Sequence, residues 1–310
     1  MSSKPIKAVL LVAFGGADSL ENVEPFIRNV LKGRTVKPEL VERAMERYKL
    51  IGGSSPLLSI TQAQAKAIED ILNSHGGEYD YRAYAGMRYW HPFIKDTMGK
   101  IKEDGAEEAV VAIMAPFQTR LTTDGYRDDI ADAVNAGGGA PQVVYVTEWH
   151  MHPRFIDAIV EKLNEQLSAF PKREDALVIF SNHSLPVSAL EGDSYELKIH
   201  QTVDEVIKKA GKIDFKVAYQ SQGEGPREWK GPKTEDVIIE ARKRKKAGVI
   251  VVPLGFVADH VETLYDIDIY FRKTAESLGL KFRRTSSLNT DPKFIRFFAE
   301  LIRKQAERTQ

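Results

Sequence analysis

Short, continuously apolar runs recur along this chain, and they constrain its fold more than any other feature. The runs lack the alternation of a half-exposed strand and end at Gly, Pro or polar residues, which is typical of parallel strands buried on both faces. Amphipathic stretches between them predict helices, so the sequence indicates an α/β fold with ligands at the carboxyl ends of the strands. The predicted strands are Ala8–Phe14, Tyr81–Ala85, Ala109–Ala115, Val143–Val146, Ala176–Phe180, Lys216–Tyr219 and Val249–Leu254, and the predicted helices include Glu39–Tyr48, Thr61–Asn73, Pro92–Asp104 and Pro153–Ala169.

The two halves of the chain repeat one layout. KAVLLVAFGG corresponds in type to DALVIFSNHS, YRAYAGMRY to FKVAYQSQG, and EEAVVAIMAP to AGVIVVPLGF, in the same order. We therefore predict two similar α/β lobes with parallel sheets and a cleft between them. The first lobe covers residues 1–150 and the second 151–310, and the C-terminal helix can pack back on the first lobe.

Composition excludes several classes of function. The 310 residues include no cysteine, which excludes disulfides, Cys-ligated zinc, iron–sulfur clusters and thiol nucleophiles. Lys and Arg balance Asp and Glu at 44 each, so no global field attracts nucleic acid. No apolar run approaches the roughly 18 residues of a membrane span, and no signal peptide is recognisable. We expect a cytoplasmic protein without an integral membrane segment.

Nucleotide-binding signatures are missing, and the informative polar residues follow two of the predicted strands. The sequence has no G-x-x-x-x-G-K-[ST], G-x-G-x-x-G or G-x-S-x-G motif. His183 follows one buried strand in a loop. The strand Val249–Leu254 leads into a helix predicted to begin near Asp259, with Glu262 and Asp266 four residues apart on one face.

This set of one imidazole and several carboxylates suits a divalent cation or proton abstraction. The same residues also allow interpretations without a catalytic or metal-binding role. His183 alone could be a hydrogen-bonded loop residue, and the two carboxylates could be a solvated helix face. His150 and His152, two residues apart, could bind a metal but are more often a surface feature.

The sequence strongly resembles the ferrochelatase family, which inserts ferrous iron into a porphyrin. The likeness runs nearly end to end through LLVAFGG, NVLKGR, RYKLIGGSSPL, YAGMRYWHPFIKD, SNHSLP, YQSQGEGPREWKGP, VPLGFVADHVETLYDIDI and RRTSSLN, and SNHSLP followed by GFVADHVETLYD is highly specific.

By this resemblance the fold is two Rossmann-like lobes without a nucleotide. The same resemblance implies that His183 and Glu262 are the metal-handling pair and that Asp266 holds the cation or relays protons. The resemblance also implies that Phe14 faces the porphyrin and that Arg47, Tyr48, Ser55 and Tyr126 bind its propionates, with Lys32 and Arg34 as further candidates. Ferrous iron is then a substrate, no cofactor is tightly bound, and the chain is expected to act as a monomer on a porphyrin.

Three residues depart from the family pattern; Phe14 and Leu31 bear on the choice of porphyrin, and Tyr270 on the outer end of the carboxylate relay. Phe14 stands where some compact members carry a tyrosine that ligates the porphyrin iron, Leu31 where they often have an arginine, and Tyr270 where many members have a glutamate. The short chain and the absent apolar lip resemble the compact type that uses coproporphyrin III, so that porphyrin is predicted over protoporphyrin IX.

The sequence is also compatible with two alternative functions. A chelatase for cobalt or nickel could use the same His and Glu, because availability selects a metal more than raw affinity does. A two-lobed carrier of metal or tetrapyrrole, without catalysis, is the other; it gives no reason for a His opposite a row of carboxylates.

Overall fold

The chain forms two compact units, neither of which is one continuous stretch of sequence. The computed structural model describes residues 4–74, 76–139, 141–223 and 226–307. Unit 1 comprises Met1–Met114, Leu121–Trp149 and Asn289–Gln310, whereas unit 2 comprises Ala115–Arg120 and His150–Leu288. The segment from Asn289 onward therefore belongs to unit 1.

Unit 1 is built on a parallel sheet whose described strands follow the order β2-β1-β3-β4. Helices flank these strands in the sequence, as parallel connections require. The strands are β1 (Ile6–Ala13), β2 (Asp80–Met87), β3 (Glu108–Ile113) and β4 (Gln142–Val146), and the helices are α1 (Val23–Leu31), α2 (Pro38–Leu50), α3 (Leu57–Ser74), α4 (Ile94–Glu103) and α5 (Arg120–Ala136).

Unit 2 repeats the arrangement with the parallel order β6-β5-β7-β8 among its described strands. Its strands are β5 (Ala176–His183), β6 (Asp214–Gln220), β7 (Gly248–Pro253) and β8 (Lys281–Arg284). Its helices are α6 (Pro153–Leu167), α7 (Val187–Leu190), α8 (Tyr195–Ala210), α9 (Thr234–Lys243), a π-helix (Glu262–Phe271) and α10 (Arg272–Ser277).

The apolar runs form the cores of both units. Ala8–Val12 in β1 and Ala176–Phe180 in β5 are fully buried. Strands buried on both faces have no reason to alternate apolar and polar residues, which accounts for their continuous apolar sequence.

The C-terminal helix, α11 (Pro292–Glu307), packs within unit 1. Its Phe298 ring lies 4.9 Å from the Trp149 ring. The buried ammonium group of Lys7 donates a hydrogen bond to the Ala306 carbonyl at 3.1 Å and pairs with Glu108 at 2.9 Å. The last carbonyls of a helix lack partners within it, so Lys7 satisfies one of them and ties the helix to β1.

The predicted α/β class and the repeated layout are confirmed. β1, β2 and β3 take the same places in their sheet as β5, β6 and β7 in theirs. One difference in the predicted strands affects the candidate site: β5 runs past Phe180 to His183, so His183 ends the strand instead of lying in the loop. None of the described helices is both long and apolar enough to cross a membrane.

Two features of the local structure differ from what the sequence predicted or were not predicted. The helix expected to begin near Asp259 begins two or three residues later, and from Glu262 to Phe271 it is a π-helix. The strand β8 was not predicted, because its sequence KFRR carries three charges and its position at the sheet edge does not require an apolar run.

Candidate active site

His183 lies at the carboxyl end of the central strand β5, with one ring nitrogen fixed by the backbone. Its Nδ1 is 2.6 Å from the carbonyl oxygen of Ser184. A carbonyl oxygen only accepts, so Nδ1 carries the proton, and in the neutral ring Nε2 keeps its lone pair. Nε2 faces Oε2 of Glu262 at 3.7 Å, and the His183 side chain is 39% exposed. The imidazole can therefore accept a proton or bind a cation at Nε2.

A buried tyrosine supports the backbone of this residue. The hydroxyl of Tyr195, on α8, donates a hydrogen bond to the carbonyl oxygen of His183 at 2.8 Å. Burial raises the pKa of Tyr195 well above its usual range, so the hydroxyl stays protonated and remains a donor.

Glu262 and Asp266 both lie on one helix, as predicted from the sequence, and that helix is the π-helix. The Glu262 side chain is 26% exposed, whereas Asp266 is buried. Tyr270, the next residue in the series, is exposed. π-Helical turns are rare and are found frequently at functional sites.

The end of β6 holds this helix by two side chains. Gln220 pairs with His183 across the sheet, and its amide lies 3.4 Å from the backbone carbonyl of Glu262. The next residue, Ser221, has a φ of 60°, in the left-handed region, and its hydroxyl donates to Asp266 at 2.9 Å. A non-glycine residue in that region costs free energy, and such residues cluster at functional sites.

Two residues between β7 and the π-helix complete the polar cluster. Asp259 does not cap the helix with its side chain; its carboxylate bonds to Arg284 and Ser287. His260 is next to the charges of Glu262 and Asp259, and burial lowers its pKa despite them. In the described part of the chain, no three His, Asp or Glu side chains are placed to hold a metal ion by themselves.

His152, named with His150 as a metal candidate, lies at the start of α6. Its side chain accepts a hydrogen bond from the backbone N–H of Arg154.

In unit 1, Phe14 and Tyr126 belong to one cluster of rings. Phe14 follows β1, is 44% exposed, and lies 4.6 Å from the Tyr89 ring. The guanidinium of Arg88 lies 5.0 Å from the Tyr89 ring and 5.2 Å from that of Tyr126. Arg88 also donates to Asp129 at 2.9 Å. Burial raises the pKa of Tyr126 far above its usual range, so its hydroxyl is neutral.

Tyr48 and Ser55 lie together at the loop that follows Phe14. The Tyr48 hydroxyl accepts the backbone N–H of Ala17 at 3.0 Å, and the Ser55 N–H donates to the Ala17 carbonyl at 2.8 Å. A β-carbon at Gly16 would lie 2.6 Å from that of Ser55, so this packing needs glycine. Arg47, beside the buried Tyr48 in α2, is exposed. The contacts of Tyr48 and Ser55 hold the loop, and their role toward a substrate stays a prediction.

Sequence reasoning missed Arg88 and Tyr89 in unit 1 and Gln220 and Ser221 in unit 2. A signal was present, because each pair follows or ends a predicted strand, as Phe14 and His183 do. The carboxyl ends of parallel strands meet at one edge of a sheet, so these residues could have been grouped with the predicted ones.

Solved structures of other proteins share the fold of this chain. SirB from Bacillus subtilis with Fe3+ matches at a TM-score of 0.61 and 12% identity, covering 98% of this chain and 96% of that one. The sirohydrochlorin chelatase SirB from Bacillus subtilis subspecies spizizenii, in complex with cobalt, matches at a TM-score of 0.58 and 12% identity, covering 97% and 95%. At this identity the likeness establishes the fold, that of two Rossmann-like lobes.

Sequence comparison identifies the family. The Ferrochelatase family model matches residues 6–306. A ferrochelatase of Geotalea daltonii is 37% identical, covering 96% of this chain and 97% of its own. A coproporphyrin III ferrochelatase of Halalkalibacterium halodurans is 34% identical, covering 98% of both. The chain belongs to the ferrochelatase family of enzymes, as its motifs predicted.

Proposed function

We propose that this chain inserts ferrous iron into a porphyrin, preferably coproporphyrin III, in haem biosynthesis. The observation that carries the proposal is the pairing of His183 Nε2 with Glu262 at 3.7 Å in a member of the ferrochelatase family. The balanced reaction takes one Fe²⁺ and one free porphyrin and yields iron porphyrin and two protons. The iron is a substrate, and the reaction requires no redox cofactor or iron–sulfur cluster.

His183 is the proposed first acceptor of a pyrrole proton. Its Nδ1–H bond to Ser184 leaves the Nε2 lone pair available, which a base requires. Once Nε2 is protonated, the ring is a cation opposite the Glu262 carboxylate, which stabilises that form. The same lone pair can bind Fe²⁺ before insertion, since imidazole is a suitable iron ligand.

Glu262 and Asp266 are proposed to hold the incoming cation or to carry protons away from the porphyrin. Glu262 lies beside His183, and Asp266 is one turn further along the π-helix, where the Ser221 hydroxyl occupies one of its oxygens. Carboxylate oxygens and one imidazole form a mixed donor set that accepts Fe²⁺ without trapping it in a closed site.

In unit 1, the propionates are proposed to bind through Arg47, with Tyr126, Tyr48 and Ser55 contributing hydroxyl groups. The exposed guanidinium of Arg47 can form two parallel hydrogen bonds to a carboxylate. Phe14 is exposed at the carboxyl end of β1, where an aromatic ring can stack on the macrocycle.

The preference for coproporphyrin III is supported by relatives. Two of the similar proteins, from Halalkalibacterium halodurans and a Geobacillus species, are named coproporphyrin III ferrochelatases at 34% and 35% identity. Those from Geotalea daltonii and Deinococcus radiodurans are named ferrochelatases, a name that specifies no porphyrin. A cytoplasmic monomer is the proposed form.

Initial rates of anaerobic iron insertion test the proposal. Purified protein is mixed with Fe²⁺ and either coproporphyrin III or protoporphyrin IX, and the loss of free-porphyrin fluorescence is followed. We expect insertion into both, with the larger kcat/KM for coproporphyrin III. An equal or larger kcat/KM for protoporphyrin IX overturns the preference, and tight binding of either porphyrin without insertion indicates a carrier.

Insertion of another metal is a second candidate, favoured by the cobalt complex of the structurally similar SirB. Co²⁺ and Ni²⁺ in the same assay separate the alternatives. A kcat/KM for either metal well above that for Fe²⁺ assigns the chain as a chelatase for that metal.

A further inference from the structure

Arg284, the last residue of β8, joins two carboxylates that flank Glu262 and Asp266 in the sequence. Its Nη1 donates to Oδ1 of Asp259 at 2.9 Å, and its Nε lies 2.9 Å from Oδ1 of Asp268. The arginine is 13% exposed and the two carboxylates 16% and 25%. Bonds to ionised partners at such distances are the stronger kind of hydrogen bond.

The two carboxylates bracket the residues proposed to handle the metal. Asp259 precedes the π-helix by three residues, and Asp268 lies two residues beyond Asp266 within it. Asp259 is fixed further by Ser287, whose hydroxyl donates at 2.7 Å, and by Thr263 at 3.1 Å. One guanidinium therefore ties both the entry and the middle of the π-helix to the sheet.

Arg284 also balances charge at this helix. Asp259, Glu262, Asp266 and Asp268 lie within ten residues, and like charges so close repel one another. Among the described contacts, Arg272 offers a second cation near Asp268, at 3.9 Å, but its side chain is 46% exposed. A surface pair of that kind contributes little, so Arg284 carries most of the compensation.

We propose that Arg284 is a positioning residue, which holds the π-helix so that Glu262 stays opposite His183. It acts through Asp259 and Asp268, the two carboxylates that its guanidinium contacts. The inference rests on the proposed function of the His183–Glu262 pair, and it extends that function to a residue on the edge strand of the sheet.

The test compares Arg284→Gln and Arg284→Lys with the matched control Arg272→Gln. Lys can reach one carboxylate but lacks the planar fork that joins two. Each variant is assayed below its melting temperature for kcat and for the KM of the porphyrin. The ¹⁵N shifts of the His183 imidazole, assigned by their loss in His183→Ala, are recorded on metal-free protein without porphyrin.

Arg284→Gln is expected to lower kcat about 10- to 100-fold, as misplacement of a reacting group by about 1 Å does. The porphyrin KM should stay within about twofold, because Arg284 acts on the reacting centre and not on substrate binding. The His183 Nε2 shift should change in Arg284→Gln and change less in Arg284→Lys, which also recovers part of kcat. Arg272→Gln should match the wild type in kcat, in the porphyrin KM and in the His183 Nε2 shift.

Wild-type kcat and an unchanged His183 shift in folded Arg284→Gln would overturn the proposal and leave Arg284 a purely stabilising residue. Should Arg284→Gln fail to fold, Arg284→Lys decides in the same way. If the wild type inserts no iron, the proposed function fails, but the His183 shift still tests whether Arg284 positions Glu262.

Discussion

The guanidinium of Arg88 occupies the space where residue 125 would carry a β-carbon. Gly125 lies inside α5, and a β-carbon built on it would overlap the guanidinium. In that position Arg88 contacts the Tyr126 ring and donates to Asp129 at 2.9 Å. Gly125→Ala should therefore displace Arg88 from both partners.

Two opposing effects determine how much Gly125→Ala changes the free energy of unfolding. Alanine inside a helix is favoured over glycine by about 0.5–1 kcal/mol. Loss of a hydrogen bond between charged groups, here with 12% and 30% of the side chains exposed, costs about 1.5–3 kcal/mol. The net expectation is that Gly125→Ala lowers the free energy of unfolding of the protein by about 0.5–2.5 kcal/mol.

Gly99 provides the matched control. It lies in α4, is exposed, and a β-carbon there meets no atom within 4 Å. Gly99→Ala should raise the free energy of unfolding by about 0.5–1 kcal/mol. Urea unfolding followed by circular dichroism measures both variants under the same conditions.

The double variant Arg88→Ala/Gly125→Ala tests whether displacement of Arg88 causes the loss of stability. In an Arg88→Ala background the obstruction is gone, so Gly125→Ala should become stabilising by about the same amount as Gly99→Ala. The reasoning is refuted if Gly125→Ala stabilises the wild type as much as Gly99→Ala does, because Arg88 then moves without loss.

Three further predictions concern activity, the product and pH. Glu262→Gln should lower the steady-state rate of iron insertion more than Asp266→Asn, since Glu262 lies beside His183; a larger loss in Asp266→Asn contradicts this order. Phe14→Tyr should add an iron–phenolate mode to the resonance Raman spectrum of the protein with ferric coproporphyrin, because Phe14 has no donor atom; absence of the mode means that residue 14 does not reach the metal. For Asp214, burial raises the pKa but the hydrogen bonds from Lys246 and Arg244 outweigh it and lower the pKa overall, so its stabilisation should be present above about pH 4 and lost as the pH falls further. Asp214→Asn should thus be less stable than the wild type in urea at pH 6, with the gap closing below pH 4; a gap independent of pH would refute the linkage.

The positions of most strands along the chain could be predicted because burial on both faces produces continuous apolar runs in the sequence. The runs at Ala8 and Ala176 show this in both halves. β8 could not be predicted in the same way, since an edge strand needs few apolar residues. The π-helix was also out of reach, because an apolar pattern such as ETLYDIDIYF does not separate the wider helix from an α-helix.

Some residues of the candidate site could be predicted from the sequence, and others could not. His183 and Glu262 could be paired because each follows or ends a buried strand of one sheet, and parallel strands end at a common edge. Arg88 above Gly125 and Arg284 between Asp259 and Asp268 depend on contacts between distant segments. No local spacing encodes such contacts, so they become visible only in the folded chain.

The central claim is that His183 takes part in metal insertion and not in porphyrin binding. The most direct measurement compares the wild type with His183→Ala in anaerobic single-turnover reactions with Fe²⁺ and bound coproporphyrin III, after a fluorescence titration gives the porphyrin Kd of each. We expect equal Kd values, iron porphyrin formation in the wild type, and none in His183→Ala. Formation of iron porphyrin at the wild-type rate in His183→Ala would contradict the account.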